Sequence, residues 1–214
     1  MNARAYTPPL GKDSTADYDR AIRLWTRETL WRRAMLEELA ARPGETILDV
    51  GCGTGSFAVM LKASQPAVRV IGIDPDEEAL TIARAKADVA VLNVEWEQGF
   101  ARDLGVRGAD AIVSSLMFHQ VPMTEKRAGL SAMFAAVRPG GRIVIADYGR
   151  QKGLMRVLFR LTIQRLDGVA DTQPNADGIL PELVKAAGFR KVRDVARFDT
   201  VTGTIGLIVA SRPD

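Results

Sequence analysis

The chain has one cysteine, Cys52, and one histidine, His119, among 214 residues. A lone thiol excludes an internal disulfide and a multi-cysteine metal site. A single imidazole leaves too few ligands for a zinc site of ordinary composition. No metal is therefore expected. The sequence contains no apolar run of about 18 residues and no apolar amino-terminal core of a secretory signal, so a cytoplasmic location is expected. Net charge is only +3, and bases and acids are interspersed. That pattern argues against a nucleic-acid-binding stripe. What remains is ordinary: 47% hydrophobic and 26% charged residues, in a length that suits one substantial core.

Against that background residues 47–55, ILDVGCGTG, stand out. A short apolar run ends in an acid, and three glycines follow at alternate positions, which reads as a buried strand that stops abruptly. Residues 56–63 read as a helix. The glycines thus lie between a strand's carboxyl end and a helix's amino end, where open α/β sheets bind ligands. A dinucleotide fingerprint needs its third glycine one residue later, where Ser56 stands, and no Lys-Ser/Thr pair supplies a Walker cradle. A nicotinamide oxidoreductase is disfavoured on that spacing. Asp49, two residues before Gly51, suits a cationic ligand better than a pyrophosphate.

The nonapeptide resembles the first motif of the class I S-adenosylmethionine-dependent methyltransferases, and the resemblance extends over most of the chain. It implies an α/β fold: a Rossmann-like seven-stranded sheet, mostly parallel with an antiparallel last strand, and helices on both faces. It implies S-adenosylmethionine as cofactor, with S-adenosylhomocysteine as product. Gly51, Cys52, Gly53 and Gly55 would close the main chain around it, with Asp49 near its charged methionine part.

Residues 1–16, with Pro8, Pro9 and Gly11, read as an irregular arm, and 17–41 as one or two amphipathic helices. Together, 1–41 are expected to form an arm and helical cap on a compact unit, 42–214. Tyr18-Asp19 resembles a family pair whose tyrosine borders the cofactor. A buried strand at 68–74 ends in Asp74, placed to hold two ribose hydroxyls, with Pro75 beside it. After a helix at 76–86 and a strand at 94–98 comes Gly99-Phe100-Ala101. Relatives have Gly-Asp-Ala here, the aspartate receiving the adenine amino group; Phe100 can only press on the purine face, and Asp103 is the next acid. A strand at 110–115 leads to a loop at 116–121, and Ser114, Ser115 and Leu116 should border the methionine part. The Asn/Asp-Pro-Pro-Tyr motif of enzymes that methylate exocyclic amines is absent, against nucleic-acid substrates.

A helix at 124–137, a tight turn at Arg138-Pro139-Gly140-Gly141 and a strand at 142–146 follow, with Asp147 and Tyr148 on the same rim. Residues 150–166 are basic and amphipathic. They read either as a lid over a greasy substrate, in weak contact with a membrane surface, or as an ordinary sheet-covering helix, the preferred reading. Residues 167–178 read as a polar loop, 179–187 as a helix, and 191–198 and 204–210 as an antiparallel pair. Arg42-Pro43-Gly44 and Arg138-Pro-Gly-Gly are similar to the quinone C-methyltransferases, although those carry Arg-Asn where His119-Gln120 stands. A small, partly apolar acceptor (quinone-like, phenolic or lipid-like) is expected, and oligomeric state is left open. A phenol or enol nucleophile needs a proton acceptor, and His119 has the only side chain with a suitable ordinary pKa. Tyr148 and Asp147 are weaker candidates for that role. A non-catalytic cofactor-binding protein of the same fold is the alternative that Phe100 raises.

Overall fold

The computed structural model describes residues 27–214; Tyr18 and the arm lie outside the described residues. The order of elements is α1 (Glu28–Leu39), β1 (Thr46–Val50), α2 (Ser56–Ser64), β2 (Arg69–Asp74), α3 (Glu77–Val89), β3 (Glu95–Gln98) and β4 (Ala109–Ser115). A short 3-10 turn (Phe118–Gln120) precedes α4 (Met123–Ala136) and β5 (Val137–Tyr148). Then come α5 (Gly153–Leu161), α6 (Ile163–Asp167), α7 (Val169–Ala176), α8 (Leu180–Ala186), β6 (Arg190–Thr200) and β7 (Gly203–Ser211). The seven strands lie in the order β3-β2-β1-β4-β5-β7-β6. β1 to β5 pair in parallel, and β7 runs antiparallel to both β5 and β6. The chain order reverses between β1 and β4, so the crevice beyond their carboxyl ends is the switch point of the sheet.

Alternation along the strands builds two cores. Ile47, Val113 and Val144 pack with Trp31, Met35 and Leu39 of α1, Phe57 and Leu61 of α2 and Phe159 of α5. Leu48, Ile112 and Ile143 point the other way, onto Leu130 and Met133 of α4 and Leu183 and Val184 of α8. Because helices cover both faces, the central strands read as continuous apolar runs. In α1, Trp31, Met35 and Leu39 recur every fourth residue on one buried stripe. Its carboxyl end is held by Arg142, which donates to the Leu39 carbonyl at 2.7 Å and pairs with Glu45 at 2.9 and 2.7 Å.

Three stretches depart from expectation. The turn at 138–141 is part of one continuous β5, interrupted by a shift in the β4–β5 register. Gly140, at φ +69°, bends the chain there while its N–H still donates to the Arg212 carbonyl. The basic stretch 150–166 is broken at Thr162 into α5 and α6. The expected loop at 167–178 contains a helix, α7, with Pro174 inside it. Its buried stripe is Thr172, Asn175 and Ala176, so helical spacing is present but carried by polar residues. Asn175 buries its amide because it donates to the Tyr148 carbonyl at 3.1 Å.

Two glycines serve packing. A Cβ at Gly72 would lie 2.5 Å from the Trp96 ring, and one at Gly55 would strike the same ring and lie 2.7 Å from Ala83 Cβ. Trp96, from β3, is thus seated over β2 and under the start of α2. Gly72→Ala is expected to lower stability by about 1–3 kcal/mol through overpacking, measured by denaturant unfolding. An unchanged midpoint would mean that the indole does not sit over Gly72.

Candidate functional site

The loop after β1 turns sharply, with Gly51, Gly53 and Gly55 at φ +71°, +52° and +72°. The N–H groups of Gly51 and Cys52 donate to the Ile73 carbonyl at 2.8 and 3.1 Å, fastening the loop to β2. Asp74 completes the fastening: one carboxylate oxygen accepts from Gly53 N–H at 2.8 Å, the other from Asp76 N–H at 3.0 Å. Each oxygen keeps a second lone pair for a ligand hydroxyl. Burial raises the Asp74 pKa to about 6, against the opposing pull of those two N–H groups. The Cys52 thiol is tucked toward Gly72, and burial followed by the charges of Asp49 and Asp74 pushes it well above its usual range.

The three loop glycines have different neighbours. A Cβ at Gly51 would strike the Met117 side chain at 2.7 Å, and one at Gly55 would strike Ala83 and Trp96, whereas at Gly53 nothing lies within 4 Å. Gly53 therefore borders open space.

Asp49 is fully buried, and neither carboxylate oxygen has a hydrogen-bond partner. Burial raises its pKa to about 7; the charge of Arg32 opposes the rise and that of Asp74 adds to it. The Ala58 N–H at the start of α2 also opposes it, but outside hydrogen-bond geometry. A buried acid with no donor is costly, and a cation brought beside it removes that cost.

On β4, Ser114 is buried with its hydroxyl unpartnered, and Ser115 is half-buried. Leu116 takes φ +52°, with its N–H on the Ala146 carbonyl at 2.9 Å. Such strain in a non-glycine residue is characteristic of functional loops. Farther along the rim Phe100 is half-buried, with the Arg102 guanidinium 4.4 Å from its ring centroid, and Ala101 packs toward Gly129. Asp103 is exposed and paired with Arg102 at 3.2 Å. The Pro75 carbonyl accepts from the Gln98 amide at 3.1 Å.

His119 sits apart from this row, under the end of β5. Its Nδ1 lies 2.8 Å from Asp147 Oδ1 and its Nε2 lies 3.4 Å from Asp167 Oδ2. Its ring meets Tyr148 edge-on at 4.9 Å. Burial alone would lower its pKa, but the two carboxylates outweigh burial and raise it to about 9. Asp147 also accepts from Phe118 N–H at 2.6 Å, His119 N–H at 3.3 Å and Tyr148 N–H at 2.7 Å. Lys126, fully buried, donates to the carbonyls of Phe118, Val121 (2.6 Å) and Asp171 (2.9 Å). Burial lowers its pKa to about 8, against the charges of Asp147 and Asp171. The Tyr148 hydroxyl pairs with Thr202 at 2.7 Å, and burial pushes its pKa above the usual phenol range. Both ring nitrogens of His119 thus face carboxylates, Asp147 at Nδ1 and Asp167 at Nε2, which favours the protonated ring over the neutral acceptor expected there. Sequence reasoning missed Met117, Lys126, Trp96 and Asp167. Asp167 carried no signal, since it opens a stretch read as loop.

With the geometry in place, comparison with known proteins is direct. A family profile described as a methyltransferase domain matches residues 47–141. The chain is 33% identical over 180 residues to the demethylmenaquinone methyltransferase of Deinococcus radiodurans, an overlap of 81% of this chain and 73% of that protein. It is 32% identical over 163 residues to the demethylmenaquinone methyltransferase of Thermus thermophilus, covering 73% of each. The solved structure of an O-methyltransferase family protein from Burkholderia thailandensis matches with a TM-score of 0.76 at 19% identity, over 93% of this chain and 59% of that one. The last is a likeness of fold alone, and this chain spans under two thirds of that longer chain.

Because His119 is the only histidine, its ring can be followed by NMR without assignment. Its titration midpoint is expected near pH 9. The stability it contributes is fully present below its unfolded pKa of about 6.5 and is lost as pH rises through about 9. A midpoint at or below 6.5 would refute the two-carboxylate arrangement.

Proposed function

The chain belongs to the class I S-adenosylmethionine-dependent methyltransferase family, and from that membership we propose that it methylates a small, partly apolar acceptor of quinol or phenol type. It is an enzyme, and S-adenosylmethionine is its methyl donor. When bound, the donor supplies a methyl group on a sulfonium sulfur, an electrophile whose leaving thioether departs neutral. The remaining work is alignment, which in the best model systems is worth about 7–11 kcal/mol of barrier.

The residues present fit that donor, and the observation that carries the assignment is the partnerless buried carboxylate of Asp49. We assign Asp49 to the cationic methionine end, the open main chain at Gly53 to close approach, and the spare lone pairs of Asp74 to the ribose. Cys52, Pro75, Ser114, Ser115 and Leu116 form the rest of that wall, and Gly51 and Gly55 allow it to close. Phe100 and Ala101 take the adenine end by face contact. We read the location as cytoplasmic; among the described residues no helix is long and apolar enough to cross a membrane.

The acceptor class rests on the two relatives named demethylmenaquinone methyltransferases. It is also supported by the state of the rim. His119, Asp147 and Tyr148 are all engaged in hydrogen bonds, so they hold the 116–121 loop as a wall and His119 serves as a positioning residue. An acceptor facing that wall must bring an electron-rich atom of its own, as a quinol ring carbon or a phenolate does.

Calorimetry checks the donor site. Asp49 must be ionised to hold a cation, so affinity for S-adenosylmethionine should fall as pH is lowered through about 7. Asp49→Asn should bind about tenfold or more weakly, from the roughly 1.5–3 kcal/mol of a charged hydrogen bond, and should lose that pH dependence. A wild-type affinity flat in pH would remove Asp49 from the role. The acceptor class is checked separately, by release of S-adenosylhomocysteine with reduced naphthoquinones and simple phenols. No release above background by protein that binds the donor would exclude this class.

A further inference from the structure

Helix α5 is amphipathic with a broad apolar face: one edge, Phe159 with the half-buried Met155 and Leu158, turns toward the protein, and the other is left exposed. Leu154, Val157 and Leu161 recur at the spacing of one helix face and are 67%, 51% and 61% exposed, while Phe159 on the opposite side is fully buried. An ordinary sheet-covering helix turns its apolar stripe inward. Two further apolar residues of the same segment, Leu166 and Val169, are 54% and 58% exposed. The stretch 150–166 carries five basic residues, Arg150, Lys152, Arg156, Arg160 and Arg165, and no acid, in a chain whose charges are otherwise interspersed. Arg156 is paired with Asp177 at 3.1 Å; Lys152, Arg160 and Arg165 are exposed.

We propose that this face docks the protein onto an anionic lipid surface, with Leu154, Val157 and Leu161 entering the headgroup boundary and Lys152, Arg160 and Arg165 meeting lipid phosphates. Apolar residues beside uncompensated cations are the chemistry of an interfacial helix, and each cation near an anionic leaflet adds to the attraction. A protein partner with an apolar groove would satisfy the stripe but gives no reason for an acid-free run of bases. The docking face lies on the segment that walls the rim: Thr162 donates to the Thr202 carbonyl at 3.4 Å, Asp167 meets His119, and the Asp171 carbonyl holds Lys126. A membrane at α5 therefore lies against the segment that holds His119 and Lys126 in place. This inference goes beyond the methyl-transfer assignment and stands whichever acceptor is used.

The test is co-sedimentation of the full chain with vesicles of phosphatidylglycerol mixed into phosphatidylcholine, against phosphatidylcholine alone, at low and high salt. Binding to the anionic vesicles is expected to be about tenfold or more tighter than to the neutral ones and to weaken with salt. Leu154→Ser/Val157→Ser/Leu161→Ser should lose about tenfold or more while keeping the wild-type affinity for S-adenosylmethionine. Arg160→Glu/Arg165→Glu, at two exposed positions, does the same job should the triple variant not fold. Wild-type protein that ignores anionic vesicles, as it would if another part of the chain covered the stripe, overturns the proposal. So does a folded variant that binds them as well as wild type.

Discussion

Four charges converge at the carboxyl end of β5, the buried Asp147, His119 and Lys126 and the half-buried Asp167, and the rim takes its shape from their need for partners. An isolated charge at such depth costs several kcal/mol, so each must find an opposite charge or a set of oriented dipoles. Asp147 collects three main-chain N–H groups and the imidazole. Lys126 places its three hydrogens on three carbonyls from two separate segments. Those demands are geometric as well as energetic. They leave the chain between β4 and α4 one way to run, and they fasten the α6–α7 segment over it.

The contrast with Asp49 separates structure from function. Asp49 and Asp147 are both buried acids near the carboxyl ends of strands in one sheet. One is saturated by donors; the other has none. A saturated acid is already accounted for by the fold. The vacant one, Asp49, has only the charge of Arg32 and the nearby Ala58 N–H to set against its burial. The glycines divide in the same way: Gly55 and Gly72 make room for Trp96, Gly51 for Met117, and Gly53 for nothing in the protein itself.

The parallel strands were legible because burial on both faces writes itself as unbroken apolar runs, and the acid–glycine signature after β1 located the switch point of the sheet. The final antiparallel pair was legible from the short Thr202-Gly203 connection. What failed did so where burial is polar. In α7 the inward stripe contains Thr172 and Asn175, so a reading that looks for apolar periodicity finds a loop. The surroundings of His119 depend on Asp147 and Asp167, far along the chain, and no local pattern joins them to the imidazole. α5 does cover the sheet, through Phe159, as the preferred reading had it, but its spacing could not say that Leu154, Val157 and Leu161 would stay exposed.

These features link stability to ligand. Asp49 has a folded pKa of about 7 against an ordinary value of 3.8, which corresponds to about 4 kcal/mol, as an order of magnitude, against its ionised form. Because that pKa is raised, the free protein is favoured below the ordinary value and loses stability as pH climbs through about 7. A bound cation reverses the sign by making the ionised carboxylate the preferred form, and whatever binds only the folded state stabilises it by mass action. Near neutrality the free protein therefore holds Asp49 close to its midpoint of ionisation, next to a loop whose N–H groups are already fastened by Asp74 and the Ile73 carbonyl. On the assignment proposed above, a guest that brings positive charge to Asp49 gains more from this site than a neutral or anionic one of the same outline.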